Sequence, residues 1–208
     1  MPQQILEHYW QDSAFEEAYF TYPNLYAEMV RYFPTGSHFV EVGSWKGRSS
    51  AFMAVEINNS QKEIQFDCVD TWKGSETEDP HQNDQYVKNG TLYEKFLSNI
   101  KPVDHIITPI RGDSVETAST YKDDSLDFVF IDGDHRYEFV KADIEAWVPK
   151  VKSGGIIAGH DYGWCTDVRK AVHEFFGEGE GVYTDRYGTG YRSYDDSWSE
   201  GCWIVKID

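Results

Sequence analysis

Acidic and histidine side chains follow two short apolar runs of the sequence, where they can act together on a ligand. Asp132 ends one run, and His160 and Asp161 end another. Carboxylate and imidazole groups bind divalent cations, so Asp132, His160 and Asp161 are the predicted metal ligands. His135 comes three residues after Asp132, and an imidazole with its ordinary pKa of about 6.5 accepts a proton at neutral pH. His135 and Asp132 are therefore the predicted catalytic residues; alternatively, Asp134 caps the next helix and His135 is solvated.

A glycine-containing turn at residues 41–49, Glu-Val-Gly-Ser-Trp-Lys-Gly-Arg-Ser, follows an earlier apolar run. Glycines between a strand and a helix let a ligand approach backbone N–H groups. The dinucleotide fingerprint needs a second glycine where Trp45 stands. A P-loop needs four residues between its two glycines and a lysine after the second glycine. Here three residues separate Gly43 from Gly47, and Arg48 follows. The turn favours a ligand that has no phosphates; the alternative is a plain strand-to-helix turn.

Two further polar positions end apolar runs. Asp70 follows the glycine turn at about the distance where a carboxylate accepts both hydroxyls of a ribose. The alternative is a surface aspartate that ends a strand. Asp113 can accept a hydrogen bond from an adenine amino group, although Asp113 or Ser114 can equally cap the helix that follows.

These residues depend on elements that place them at one edge of a sheet. Strand-like runs alternate with helical patterns, which predicts βαβ units. The predicted strands are 38–43, 64–70, 106–111, 126–132, 155–160, 182–184 and 202–207, and the predicted helices are 48–57, 91–100, 137–148 and 168–176. The expected fold is α/β, Rossmann-like and doubly wound, with a mostly parallel seven-stranded sheet, an antiparallel C-terminal hairpin and helices on both faces. Ligands bind at the carboxyl ends of such strands.

We predict one domain over residues 1–208, because about 100–200 residues is the usual domain size. Residues 1–35 are the expected N-terminal helical cap, 36–176 the ligand-binding core, and 177–208 a C-terminal loop and hairpin. Residues 71–90 are acidic and polar and are predicted to be a long loop.

The composition excludes several classes of protein. The formal net charge of −17 repels phosphate backbones and anionic lipid surfaces, so neither nucleic acid nor a membrane is an expected partner. Hydrophobic residues are 40% of the chain, which excludes a disordered chain. Cys68, Cys165 and Cys202 are widely spaced and form no CxxC pair, so a reducing, cytoplasmic setting is expected. A homodimer is compatible with the sequence.

The chain resembles the class I S-adenosylmethionine-dependent methyltransferases in five segments and in their order along the chain. These segments are residues 43–49, 70–72, 112–114, 132–135 and 159–162. The resemblance is to the small O-methyltransferase branch, which includes catechol and macrolide-sugar O-methyltransferases, and covers residues 36–176. Its most specific part is residues 128–162, with the sequence FVFIDGDHRYEFVKADIEAWVPKVKSGGIIAGHDY. The turn at 41–49 matches the first motif of that family.

The resemblance implies S-adenosylmethionine as cofactor and a divalent cation such as Mg²⁺. Gly43 and Ser44 would lie under the methionine part of S-adenosylmethionine. Ser49 would bind the carboxylate of this cofactor, and Asp70 would hold its ribose. Asp132 matches the first metal aspartate, and His160 stands where relatives carry an acid. The implied cofactor-binding residues are Glu41, Gly43, Ser44, Gly47, Ser49, Asp70, Thr71, Asp113, Ser114 and Asp132.

The expected acceptor is a small hydroxylated molecule such as a sugar or a natural product. Aromatic residues suited to stacking on it are Trp72, Tyr187, Tyr191 and Trp198, unless they pack over the core edge. Two alternatives stay open. One is a nucleotide-sugar glycosyltransferase, in which Asp132 and Asp134 form a metal-binding pair. The other is a non-catalytic methyltransferase-like binding domain.

Overall fold

Six strands form one mixed sheet in the computed structural model, which describes residues 4–16, 18–76, 78–177 and 201–208. The spatial order is β3-β2-β1-β4-β5-β6. The first five strands are parallel, and β6 pairs antiparallel with β5 at the edge. The strands are β1 (His38–Val42), β2 (Gln65–Asp70), β3 (Ile107–Arg111), β4 (Leu126–Ile131), β5 (Val151–Gly159) and β6 (Trp203–Lys206).

Alternation of side chains along the strands gives the sheet two buried faces. Phe39 of β1 is in register with Phe128 of β4, and both belong to one core. Val40 and Val129, the next pair, belong to the core on the other face. Strands that are buried on both faces are near-continuously apolar, as the sequence of these runs is.

Helices cover both faces. The α-helices are α1 (Pro23–Tyr32), α2 (Arg48–Ser60), α3 (Asp79–Asn83), α4 (Gln85–Asn89), α5 (Leu92–Asn99), α6 (Ser114–Ala118), α7 (Tyr137–Trp147) and α8 (Thr166–Phe176). Leu25 of α1, Met53 of α2 and Phe96 of α5 enter the core with Phe39. Ile144 of α7 and Val172 of α8 enter the opposite core. Each described helix is too short or too polar to cross a membrane.

The observed elements confirm the doubly wound α/β fold and its antiparallel C-terminal strand. A seventh strand is not among the described residues, because its predicted position at 182–184 lies outside them. The prediction of a loop over residues 71–90 is wrong, since α3 and α4 lie within it. The Asp84 side chain accepts hydrogen bonds from the N–H groups of Tyr86 and Val87, which starts α4, and Gly90 ends it at φ 68°.

Candidate active site

A cavity of about 910 Å³ opens at the carboxyl ends of the central strands. The connections after β1 and β4 leave the sheet toward opposite faces, which creates a crevice between these strands. The walls come from residues within 18–21, 43–49, 78–84, 132–135 and 160–164, together with Gly201. The two predicted ligand-binding segments, the glycine turn and the acidic strand ends, therefore share one cavity.

Close packing requires both glycines of the turn. Gly43 has φ 90°, and a Cβ on it would lie 2.0 Å from the backbone oxygen of Asp132. Gly47 has φ 81°, and a Cβ there would lie 2.9 Å from the Phe96 ring of α5. The turn thus packs directly against β4 and α5, and its Ser44 and Ser49 line the cavity.

Asp70 holds the same turn from β2. Its carboxylate oxygens accept hydrogen bonds from the backbone N–H groups of Trp45 (2.8 Å) and Trp72 (2.7 Å). Burial raises the pKa of Asp70, and these two hydrogen bonds oppose that rise. The Thr71 hydroxyl accepts from the Lys73 N–H at 3.2 Å. Neither Asp70 nor Thr71 lines the cavity, so their ribose contact stays a prediction.

Glu41 lies beneath the turn and is not among the residues that line the cavity, so its contact with the cofactor stays a prediction. It is 1% exposed and accepts hydrogen bonds from the hydroxyls of Tyr26, at 2.8 Å, and Ser50. The reason is strand alternation, which directs this side chain toward α1 and α2. Burial raises the pKa of Glu41, and the serine hydroxyls of α2 act in the opposite direction.

Asp113 and Ser114 contact protein groups outside the cavity lining. The Asp113 carboxylate accepts from the Glu116 N–H at 3.1 Å, so it is the N-cap of α6. The Ser114 hydroxyl accepts from the Trp147 indole N–H at 2.9 Å. The capping alternative is thus observed for Asp113, and the predicted adenine contacts of both residues stay predictions.

The acidic and histidine residues converge as predicted, with one exchange. Asp132, His135 and Asp161 each offer a donor atom, and these atoms lie within 4.8 Å of one another. Two carboxylate oxygens and one imidazole nitrogen suit a hard or borderline divalent cation. His135 thus replaces His160 in the predicted set. The His160 Nδ1 lies 3.2 Å from Asp161 Oδ1 and 3.6 Å from Asp132 Oδ1.

The two histidines carry raised pKa values. Burial lowers the pKa of His135, but its 2.7 Å contact with Asp161 and the nearby charges of Asp132 and Glu78 outweigh burial and raise it to about 9. Burial also lowers the pKa of His160, and the charge of Asp132 with hydrogen bonds to both aspartates raises it to about 10. Burial raises the pKa of Asp161, whereas the histidines hold it well below its usual range. Both raised pKa values favour a protonated imidazole at neutral pH, whereas the predicted role of His135 as proton acceptor needs the neutral form.

Asp134 does not join this cluster. It accepts hydrogen bonds from the Arg136 backbone N–H (3.0 Å) and from Nε (2.9 Å) and Nη2 (2.7 Å) of the same guanidinium. Asp132 and Asp134 therefore do not form the metal-binding pair that the glycosyltransferase alternative requires.

Several residues at the cavity carry no signal in the sequence. Thr21, Glu78 and Trp164 line it, and Tyr22 contacts Asp132. Tyr19 is 80% exposed and Trp164 is 66% exposed, so these rings are available for stacking at the cavity wall.

The predicted aromatic contacts with the acceptor need one correction. Trp72 is 2% exposed, and its ring packs on Tyr93 and Phe96. Its indole N–H donates to the backbone oxygen of Trp45 at 2.9 Å. Trp72 is therefore a core residue, while Tyr187, Tyr191 and Trp198 lie outside the described residues.

Comparison with known proteins gives a family. A family model described as a methyltransferase domain matches residues 40–162, more than half of the chain. The uncharacterized protein y4gI of Sinorhizobium fredii is 26% identical over 131 residues, which are 63% of this chain and 13% of that protein. The chain thus spans only a small part of that relative.

Solved structures share the fold. The O-methyltransferase NovP has a TM-score of 0.63 at 17% identity, over 89% of this chain and 78% of that one. Cofactor-bound Rv0187 from MTB has a TM-score of 0.58 at 15% identity, over 93% and 84%. The calicheamicin methyltransferase CalS11 has a TM-score of 0.58 at 15% identity, over 88% and 76%.

Proposed function

We propose that this chain, which belongs to the methyltransferase family matched over residues 40–162, is an S-adenosylmethionine-dependent methyltransferase. It methylates a hydroxyl group of a small acceptor. One observation carries the proposal. The serines of the glycine turn and the Asp132–His135–Asp161 cluster line the same cavity. A cofactor on the turn would therefore have its reactive end beside groups that bind and deprotonate a hydroxyl.

The cofactor side of the cavity is the start of α2. Ser49 lies in the first turn of this helix, where the positive end of the helix dipole favours a carboxylate. Gly43 and Ser44 line the cavity beside it, and Ser44 is 2% exposed. We assign the methionine carboxylate of the cofactor to this place.

Methyl transfer needs alignment and a proton acceptor. S-adenosylmethionine supplies a methyl group on a cationic sulfur, so the carbon–sulfur bond breaks as the acceptor oxygen forms the new bond and loses its proton. His135 is the proposed proton acceptor, with Asp161 at 2.7 Å and Glu78 at 3.3 Å to stabilise the imidazolium. Because those carboxylates already keep His135 protonated, its own proton has to leave before it can act.

Asp132, Asp161 and His135 are the residues that would hold a divalent cation. When bound, a cation lowers the pKa of a hydroxyl that coordinates it. A cation held by all three donors uses His135 as a ligand, whereas a cation held by the two carboxylates leaves the imidazole for the proton.

A sugar or a natural product is the proposed acceptor class. Tyr19 and Trp164 expose aromatic faces at the cavity, and such faces pack well on rings. Two proteins of the same fold are described as an O-methyltransferase and as a TDP-rhamnose 3'-O-methyltransferase. These descriptions agree with a hydroxyl acceptor but belong to those proteins.

Calorimetric titration of S-adenosylmethionine, with magnesium and again with chelator, tests the cofactor side. We expect micromolar binding by the wild-type protein. Ser49→Ala should weaken it about tenfold, the loss of roughly one hydrogen bond to a charged group. Ser60→Ala, at the other end of α2, is the matched control and should bind as the wild type does. No binding by the wild-type protein in either buffer would contradict the proposal.

The acceptor side is tested with methyl-labelled cofactor and a panel of sugars, nucleotide-sugars and catechols. Transfer of label to a hydroxylated compound is expected, with turnover strongly reduced in His135→Ala. Full turnover by that variant would exclude His135 as the proton acceptor.

A further inference from the structure

The segment before α1 reaches two of the strand-end residues. The Thr21 hydroxyl lies 2.9 Å from His160 Nε2. The next residue, Tyr22, donates its phenolic hydrogen to Asp132 Oδ2 at 2.7 Å. Thr21 also lines the cavity. Two adjacent residues at the N-terminal side of the chain thus contact the cluster formed by β4 and β5.

The Tyr22 ring has little freedom to move. It is 1% exposed and lies 4.5 Å from the Phe130 ring, 4.8 Å from Phe20 and 5.1 Å from Tyr26, measured between ring centroids. Pro23 at the start of α1 fixes the backbone immediately after it. The phenolic oxygen is therefore held at one point relative to β4.

A fixed hydrogen-bond donor on one oxygen of a carboxylate sets the direction in which the other oxygen points. Oδ2 of Asp132 is bound to Tyr22, and Oδ1 lies 3.6 Å from His160 Nδ1. Carboxylates that bind metals are commonly oriented by such an outer hydrogen bond, and loss of the outer partner typically lowers the affinity for the metal about 10–100-fold. The Asp132 carboxylate would then offer one oxygen rather than two.

We propose that Thr21 and Tyr22 are positioning residues of this site, Tyr22 through Asp132 and Thr21 through His160. The inference rests on the proposed function, because it concerns the cluster that would bind the acceptor hydroxyl. Thr21 and Tyr22 do not touch the reacting atoms in this assignment. Tyr22 sets the direction of Asp132, and Thr21 holds His160, whose Nδ1 lies 3.6 Å from Asp132 and 3.2 Å from Asp161.

Titration of Mn²⁺, followed by the electron paramagnetic resonance signal of the free ion, tests the proposal without an acceptor. Tyr22→Phe keeps the packed ring and removes only the hydroxyl. It should lower the affinity for Mn²⁺ about tenfold or more. Tyr121→Phe is the matched control, because its hydroxyl donates to the Asp67 carboxylate at 2.6 Å away from the cavity. That control should bind Mn²⁺ as the wild-type protein does.

A second variant and a second ligand separate positioning from general damage. Thr21→Val keeps the size of the side chain and leaves Tyr22 intact. It should lower the affinity for Mn²⁺ severalfold, because His160, which lies beside both aspartates, loses its contact with the Thr21 hydroxyl. Affinity for S-adenosylhomocysteine should stay within about twofold in both variants, since the turn that would bind it is unchanged. A general loss of structure would lower both affinities together.

The outcomes are distinct. Wild-type Mn²⁺ affinity in both Tyr22→Phe and Thr21→Val overturns the proposal. So does a wild-type protein that binds S-adenosylhomocysteine but no Mn²⁺, although methyl transfer then still stands. A wild-type protein that binds neither ligand overturns the proposed function as well.

Discussion

Asp143 is a buried carboxyl group on α7, behind the turns that follow β3 and β4. It is 6% exposed, and its Oδ2 would lie 3.6 Å from a Cβ placed on Gly133. Burial raises its pKa to about 7, a hydrogen bond with Ser114 opposes the rise, and the charges of Asp113 and Asp134 add to it. The folded protein thus holds a proton that an unfolded aspartate releases at a pH of about 4.

This difference predicts a pH-dependent stability. Between about pH 4 and pH 7 the unfolded chain binds fewer protons at this residue, so the free energy of unfolding falls as the pH rises. From pH 5 to pH 8 the contribution of Asp143 is a loss of roughly 2–3 kcal/mol. Urea unfolding at both pH values should show a loss in both proteins, because the raised pKa values of His135 and His160 also lower stability as the pH rises. The loss in the wild-type protein should exceed that in Asp143→Asn by the contribution of Asp143. The exposed Asp123→Asn should behave as the wild type, and equal losses in all three proteins would contradict the prediction.

At the scale of elements, one lysine joins three stretches of chain around the cavity. Lys46 Nζ lies 2.9 Å from Glu16 Oε2 and 2.6 Å from Asp84 Oδ2, and its side chain is 3% exposed. Asp84 is also the N-cap of α4. Helices as short as α3 and α4 are unstable alone, so this contact fixes them against the glycine turn.

We expect Lys46→Met to loosen α3 and α4. The substitution leaves the half-buried Asp84 carboxylate without its cation, which costs about 1–3 kcal/mol. Hydrogen exchange should then accelerate at backbone N–H groups within 79–89 and stay unchanged in β4. Lys88→Met, which alters an exposed lysine of α4, is the control. Unchanged exchange within 79–89 in Lys46→Met would refute the prediction.

For the whole molecule, the cavity is a product of topology. α2 packs on one face of the sheet and α7 on the other, so the connections after β1 and β4 separate and leave the crevice between them. Every wall of the cavity comes from a different stretch of the chain. A ligand bound there contacts groups that are together only in the folded state.

Ligand binding should therefore stabilise the entire fold. At a concentration 100 times its Kd, S-adenosylhomocysteine should add about 2.7 kcal/mol to the free energy of unfolding. For a chain of this size that is a rise in Tm of roughly 5–10 °C. Scanning calorimetry should show the rise with S-adenosylhomocysteine. A rise with a nucleotide-sugar and none with S-adenosylhomocysteine would favour the glycosyltransferase alternative.

The sequence by itself determined the six observed strands, the helices α2, α5, α7 and α8, and the two segments that form the site. Apolar runs such as 38–43 and 126–132 are recognisable as central strands, because a strand that is buried on both faces is almost continuously apolar. The spacing of Gly43 and Gly47 likewise indicates a turn at the end of β1. Asp132 and Asp161 were predicted to converge because carboxyl ends of neighbouring parallel strands meet at one edge of a sheet.

Only the tertiary structure decided which groups these residues contact. Tyr22 and Asp132 are 110 positions apart, and no local pattern links a phenol to a particular carboxylate at that distance. Trp72 has the composition of a stacking residue and is buried because α5 packs on it. His135 carries a proton at neutral pH because Asp161 and Glu78 lie beside it. A pKa and a hydrogen bond depend on neighbours in space, and packing alone selects those neighbours.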